Sequence, residues 1–554
     1  MKHLKRQLLL AAAAAALCLT GLAAAKTWTF PEGVDPALRI ADAGDYDFPD
    51  GFKATLRFSA DLSKVNPKCH FANLFTKGRD FNDGYSVMIR EDGHLLFYFL
   101  GVNPQYYIHS AALESNREYL LEVYRTPQAL RVFIDGEEKG SLAVEGAMKH
   151  AGRGAPLRIG SMGGYRFAGT IASLTLEDLS GVALPPGGPK PYPKAPPKTQ
   201  ARAEILWAKP ICVEKGRYIG WPSVARLANG DLLAVFSGDR DDHVCPYGKV
   251  QMVRSTDGGE TWSAPRTIAN GLMDDRDAGI VQMPDGEILV TYFTYDGWAE
   301  PNCLKKHPEW RRHVEKIDRK LPQAVIGNFM IRSRDDGRTW TAPERMDCNY
   351  TQTPHGPILL RDGGLLEIGR THVNGRATIR VSRSDDRGRS WQMLCPDVPD
   401  RNGENTGVEH IFCEPHVVER ANGDLVAVVR YHGPDNCMRA SRSTDGGRTW
   451  TPMEKTPMLG LPPHLVELAD GKIVCVYGRR FADPGFGEYA CISDDGGLTW
   501  DGANEIMLSP SFCGDLGYPA TCILADGALL TVYYQRRTPD EKPCLMATKW
   551  RVTR

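Results

Sequence analysis

The sequence predicts an all-β protein, a jelly-roll β-sandwich followed by a six-bladed β-propeller. Three observations carry that expectation. Glycine (56) and proline (38) are abundant in a chain of 554 residues, a composition that favours many turns and short strands over long helices. After residue 200, an apolar strand, an Asx-Gly turn and a second apolar strand recur six times, with turn glycines at Gly230, Gly286, Gly363, Gly423, Gly471 and Gly527. Interleaved with these hairpins, the pattern S-x-D-x-G-x-[TS]-W occurs five times, ending at Trp262, Trp340, Trp391, Trp450 and Trp500. A hydrophobic content of 42% and a formal charge of −1 argue against a disordered chain and against a basic nucleic-acid binder.

Taken in chain order, residues 1–25 carry basic residues, an apolar run from Leu8 to about Leu19 and small residues at Ala23 and Ala25. That is a secretory signal, too short in its apolar part to span a bilayer, and it predicts a secreted or periplasmic protein. The cysteines are scattered singly with no C-x-x-C pair, which argues against a structural zinc site. Cys475 and Cys491 fall on segments read as neighbouring strands, either as a disulfide or as buried thiols.

Residues 26–180 alternate apolar and polar positions in short runs such as Phe52–Phe58, Tyr85–Ile89, Tyr119–Tyr124 and Leu130–Ile134, separated by turn signals. The order DGYSVMIREDGHLLFYFL, REYLLEVYRTPQALRVFIDGEEKG, PLRIGSMGGYRFAGTIASLTLED resembles the laminin-G/concanavalin-like jelly rolls. That resemblance implies a glycan-binding or a spacer domain. Residues 181–200 are proline-rich and read as a semi-extended linker.

Residues 201–554 then hold the repeats. The S-x-D-x-G-x-[TS]-W pattern is the Asp-box, in which Ser and Asp brace a turn through backbone amides and Trp packs between sheets, so its aspartates carry no catalytic role. One plain hairpin and one Asp-box hairpin make a four-stranded blade. The sixth box is missing, and the segment Glu204–Val213 is expected to supply the fourth strand of the last blade and close the ring.

In such blades the start of strand one and the end of strand two share a face. The starts carry Gly220-Trp221-Pro222, Arg276-Asp277, His355-Gly356, Glu414-Pro415-His416, His464 and Tyr518-Pro519, and the ends carry Asp239–His243, Arg370–His372, Arg430–His432, Arg479-Arg480 and Tyr534-Gln535. This density of titratable groups marks the axial mouth as the site.

Six Asp-box blades with that face resemble the bacterial sialidases (neuraminidases). The resemblance implies an exo-sialidase with Tyr518 as nucleophile, Glu414 as its partner base, and Arg430 with Arg479 or Arg480 as carboxylate-binding arginines, Arg479 being preferred. A neutral phenol suits a substrate that already bears a carboxylate beside its anomeric carbon. Two departures stand out. The family's first arginine is replaced by Trp221, with Arg276 available as a substitute, and the loop expected to hold the acid/base aspartate offers Asp239, Asp241, Asp242 and His243, of which Asp242 is preferred, with Asp241 and Asp277 close behind.

Asp277, Trp221, Arg370, His355 and His416 complete the expected substrate-binding set. The histidines at 355, 416 and 464 stay open between sugar contacts, an acid/base role, a metal site and a structural role, and no cofactor or metal is expected. Residues 298–323 form an insertion on the active face with a helix-like basic stretch over 308–320. Expected partners are sialylated glycans, with no nucleic acid and no membrane span. A glycosidase for another, possibly acidic, sugar and a non-catalytic glycan-binding propeller are the alternatives.

Overall fold

In the computed structural model of the protein, residues 25–553 are described except for breaks, chiefly 31–38, 41–45, 66–70, 79–83, 101–105, 109–111, 149–154, 186–194, 318–324, 347–352 and 406–410. The export segment, up to residue 24, and most of the proline-rich stretch lie outside the described residues. The chain divides into two compact units, residues 1–191 and 192–554.

The first unit holds two six-stranded antiparallel sheets. Alternation buries one face of each strand, as in Phe52–Ala60, where Phe52, Ala54, Leu56, Phe58 and Ala60 are all buried. The ring of Phe52 in one sheet meets Tyr85 and Phe99 in the other, with centroids 4.6 and 6.2 Å apart, so the two inner faces form one core.

The second unit holds six sheets in sequence. Blade 1 runs from Tyr218–Arg226 to Arg266–Ala269, blade 2 from Asp274–Gln282 to Glu344–Arg345, and blade 3 from Ile358–Leu359 to Gln392–Cys395. Blade 4 runs from Phe412–Glu419 to Glu454–Leu459, blade 5 from Leu461–Glu467 to Ile506–Pro510, and blade 6 begins at Leu516–Ile523. Ala203–Cys212 pairs antiparallel with Cys544–Val552 and completes blade 6, within a residue of the expected closing strand. Inner strands touch from blade to blade except between blades 3 and 4, where Phe412–Glu419 packs on the second strand of blade 3, and the inner strand of blade 6 touches that of blade 1.

The repeats behave as their chemistry requires. In the first Asp-box, Gly259 N donates to Ser255 Oγ (2.9 Å), Thr261 N to Asp257 Oδ1 (2.9 Å), and Trp262 Nε1 to Gly259 O (3.0 Å). The Thr261 hydroxyl and amide hold the Asp257 carboxyl down to about 2, so it is a permanently ionised brace. Each box tryptophan packs against the core shared with the preceding blade, as Trp262 does between blades 1 and 6 and Trp500 between blades 5 and 4. At Gly497 (φ +87°) a Cβ would lie 2.7 Å from Val426, so this box needs glycine for space as well as for its left-handed backbone.

Cys475 and Cys491 face each other across neighbouring strands as free thiols. The insertion is helical earlier than expected, over Pro301–Lys306, and the basic stretch yields only the short turns Pro308–Trp310 and Arg311–Val314. Pro308 lacks the amide that would carry one helix through both parts.

Candidate active site

The inner strands of four blades are interrupted by a bulge at equivalent places, between Gly220 and Ser223, Arg276 and Gly279, Cys413 and His416, and Gly517 and Ala520. Inside each bulge sits a non-glycine residue in left-handed backbone: Trp221 (φ +54°), Asp277 (+48°), Glu414 (+47°) and Tyr518 (+52°). Such conformations cost about 1–3 kcal/mol each. The bulge re-aims a side chain that would otherwise alternate into the sheet sandwich, and it does so at four residues that the sequence marks for the site.

Tyr518 Oη donates to Glu414 Oε1 at 2.6 Å, and Arg430 pairs with the other carboxylate oxygen while its Nη1 lies 3.3 Å from Tyr518 Oη. All three side chains are largely buried. Burial opposes the charge of Glu414, but Arg430 and the tyrosine hydroxyl outweigh it and leave the carboxyl below its ordinary value, hence ionised. Burial, reinforced by that carboxylate, pushes the Tyr518 phenol well above its ordinary value. The resting pair is a neutral phenol hydrogen-bonded to a carboxylate that can take its proton.

The second arginine beside this pair is Arg480, which corrects the preference for Arg479. Arg480 lies 5.5 Å from the Tyr518 ring centroid and donates to Tyr534 Oη (2.8 Å) and Leu516 O (2.8 Å). Arg479, one residue earlier on an alternating strand, points the other way, donating to Glu505 Oε2 (2.6 Å) and lying over Tyr489 at 3.9 Å.

Trp221 forms the other half of the floor, 5.5 Å from Tyr218 and from Tyr534 and 6.3 Å from Tyr518, ring centre to ring centre. Arg276 lies over it at 4.4 Å and donates to His243 O at 3.2 Å. Behind it the fully buried pair Arg240 and Asp274 anchors the blade 2 start. Arg370 is buried in blade 3, near enough to Cys413 to oppose the burial that pushes that thiol up to about 12.

The two aspartates diverge. Asp242, the preferred acid/base, bonds Lys306 and His307 of the insertion and the His243 amide. Burial disfavours its charge, but these partners hold it down to about 2, so it carries no proton to give near neutrality. Asp277 is buried, its Oδ1 has no hydrogen-bond partner, and Arg276 Nε is 3.8 Å away. Burial pushes it up to about 7, with Arg276 opposing and the Glu414 charge reinforcing. This favours Asp277, an alternative to the preferred Asp242: of the two, it is the carboxyl that burial leaves able to hold a proton.

Deeper along the same strands, His416 and His464 stack at 4.1 Å and both face His355, at 5.6 and 4.9 Å. Burial keeps all three neutral, with His464 pushed down to about 3. Leu465 N donates to His416 Nδ1 and Thr521 N to His464 Nδ1, so the ring protons of these two sit on Nε2 and leave no lone pair there for a cation. The described residues contain no group of three or more metal-ligating side chains. These histidines tie blades 3, 4 and 5 to their neighbours.

The profile of the family described as BNR repeat-like domain matches residues 230–532, more than half of the chain. The protein belongs to the BNR repeat-like domain family. This BNR repeat-like chain is similar to a protein named sialidase from Bacteroides fragilis (strain YCH46), 27% identical over 321 residues that cover 52% of this chain and 55% of that one. It is also similar to a sialidase of Micromonospora viridifaciens, 26% identical over 312 residues, covering 52% and 42% respectively. The chain thus spans about half the length of the curated relatives it matches. Among solved structures, a protein of unknown function from Dyadobacter fermentans DSM 18053 shares the fold, with a TM-score of 0.53 at 24% identity over 63% of this chain and 99% of that one.

Proposed function

We propose that the protein is a retaining exo-glycosidase of the sialidase type, releasing terminal sialic acid from glycoconjugates. The observation that carries this reading is the Tyr518–Glu414 hydrogen bond of 2.6 Å with Arg430 on both partners. Tyr518 Oη attacks the anomeric carbon as its proton passes to Glu414. The glycosidic bond breaks, and the leaving oxygen takes the proton of Asp277. Water then adds to the anomeric carbon, losing a proton to Asp277, and Glu414 returns its proton as the tyrosine leaves. Arg276, Arg430 and Arg480 supply the positive charge that a substrate carboxylate requires. The export signature of residues 1–25 would send this activity to the periplasm or the medium.

A glycosidase for another acidic sugar is the second reading, favoured by Trp221 standing where a sialidase carries an arginine. The test is a fluorogenic sialoside and natural sialyl-glycans offered to wild type, Tyr518→Phe and Glu414→Gln. Wild type releases sialic acid, and each variant loses about 10²–10⁴-fold in kcat. Absence of release from both substrate types by wild type overturns the proposal, and unchanged release by Tyr518→Phe overturns the mechanism.

A further inference from the structure

The loop that joins strands two and three of blade 1 carries one group that the proposed chemistry leaves unused. His243 is exposed, and its ring stands edge-on to Trp221 at 4.9 Å. Its Nδ1 is 3.1 Å from Tyr218 Oη, and Tyr218 Oη donates to Asp515 Oδ1 at 2.6 Å. Arg536 donates to the same carboxylate, Nη2 to Oδ2 at 3.0 Å, so both oxygens of Asp515 serve as acceptors.

Proton counting fixes the rest. Tyr218 has one hydroxyl proton, and burial keeps that phenol far above its ordinary pKa, so the proton stays with it and is spent on Asp515. The phenol oxygen can then only accept from His243, which places the imidazole proton on Nδ1. Nε2 is left with a lone pair, and it meets no partner among the described residues. The groups around the ring keep it so. Although the residue as a whole is exposed, desolvation of its ring where it packs on the floor, with the guanidinium groups of Arg276, Arg480 and Arg240, pushes the imidazole well below its ordinary pKa, and Asp242, already paired to the insertion, opposes them. Tyr534, 6.3 Å from Tyr218, closes the remaining side.

We propose that His243 is a specificity residue whose Nε2 accepts a hydrogen bond from a hydroxyl of the sugar, with Asp515 and Tyr218 acting as positioning residues that set its tautomer. Arg276, Arg430 and Arg480 only donate, Glu414 is occupied by Tyr518 and Arg430, and Asp277 is taken up by the proposed leaving-group step, so a polyhydroxylated acid finds carboxylate partners there and His243 Nε2 is a further acceptor for a hydroxyl. This inference rests on the reading of the site as one for an acidic sugar, and goes beyond it in naming the group that reads a hydroxyl.

The test uses full-length protein labelled with ¹⁵N in histidine, titrated with 2,3-didehydro-2-deoxy-N-acetylneuraminic acid and, separately, with glucuronic acid, with His243→Gln identifying the resonance. The Nδ1–H tautomer is expected in the free protein, with the Nε2 resonance moving on addition of one of the sugars. Tyr218→Phe should mix the tautomers and raise KM about tenfold, as expected for loss of one hydrogen bond to a substrate, with kcat little changed. An Nε2–H tautomer in the free protein, or binding of a sugar that leaves Nε2 unmoved, overturns the inference even if sialic acid is released. Movement of Nε2 with glucuronic acid alone would sustain it while removing the sialidase reading. Failure of both sugars to bind overturns both.

Discussion

A carboxyl group buried beside another carboxylate keeps its proton to higher pH, and Asp277 is in that position. Glu414, held ionised by Arg430, is its charged neighbour, so the two separate into a base and an acid at the same pH. In the proposed mechanism Asp277 must be protonated to assist the leaving group, and burial would let it lose that proton as pH climbs through about 7. The alkaline limb of kcat/KM is therefore expected near 7. Asp277→Asn should abolish it and lower kcat by about 10²–10⁴-fold for natural glycans, with a much smaller effect on aryl sialosides whose leaving group needs no proton. Asp242→Asn should leave the limb where it is. Stability gives a second reading of the same group. Its folded value lies above the unfolded value of about 3.9, so the unfolded chain releases the proton first and stability falls between those two pH values. Asp277→Asn should melt above wild type at pH 8, with the gap closing toward pH 4, as scanning calorimetry would measure.

At the scale of elements, the insertion braces the loop that carries Asp241, Asp242 and His243. Trp310, 1% exposed, donates Nε1 to Asp241 Oδ2 at 2.9 Å and stacks on His307 at 3.9 Å, within a cluster that includes Met273, Val244 and Tyr247. Trp310→Ala removes a buried indole, worth about 3–5 kcal/mol where it packs, and the loss should be local. Amide exchange over 239–247 is expected to accelerate and kcat/KM to fall, while blades 3 to 5 keep wild-type protection. Uniform acceleration across the propeller would instead mean that the insertion is part of the global core. The insertion itself was legible from its length and from its position at a strand-two end. Its docking was not, because Met273 and Val244 are distant in sequence and nothing local marks Trp310 as their partner. The arginine pair fails for a related reason. Arg479 and Arg480 differ only by which side of the strand each faces, and strand ends are uncertain by a residue or two in any sequence pattern. Tyr518 and Glu414 were legible because each opens a blade on the active face, and their roles came from the resemblance to the sialidases, although the left-handed bulge that aims them leaves no pattern of its own.

For the whole molecule, what the sequence displays best is what each blade completes alone. An Asp-box satisfies its own backbone amides through Ser255, Asp257 and their counterparts, so the motif is written in eight consecutive residues, and five copies reveal the repeat. Ring closure involves residues far apart, yet it was legible by subtraction, since six plain hairpins are accompanied by only five Asp-boxes. The structure supplies the fourth strand of blade 6 from Ala203–Cys212, with Ile205 opposite Trp550 and Trp550 donating to Thr531 Oγ1 at 2.9 Å. Without that strand the edge of Cys544–Val552 would be unpaired, and the buried side chains of Ala203 and Ile205 would leave the core they share with Val474, Ile492 and Leu508 of blade 5. A repeat ring has no spare strand to take their place. Two truncations test this. A chain beginning at residue 198 keeps the closing strand and should unfold in one cooperative transition. A chain beginning at residue 214 removes sixteen more residues and should lose that cooperativity, bind a hydrophobic dye and aggregate through its open edge, and adding the peptide 198–213 in trans should restore the sharp transition. Equal cooperativity of the two chains would show that the ring is held by blade-to-blade packing alone, with the closing strand dispensable.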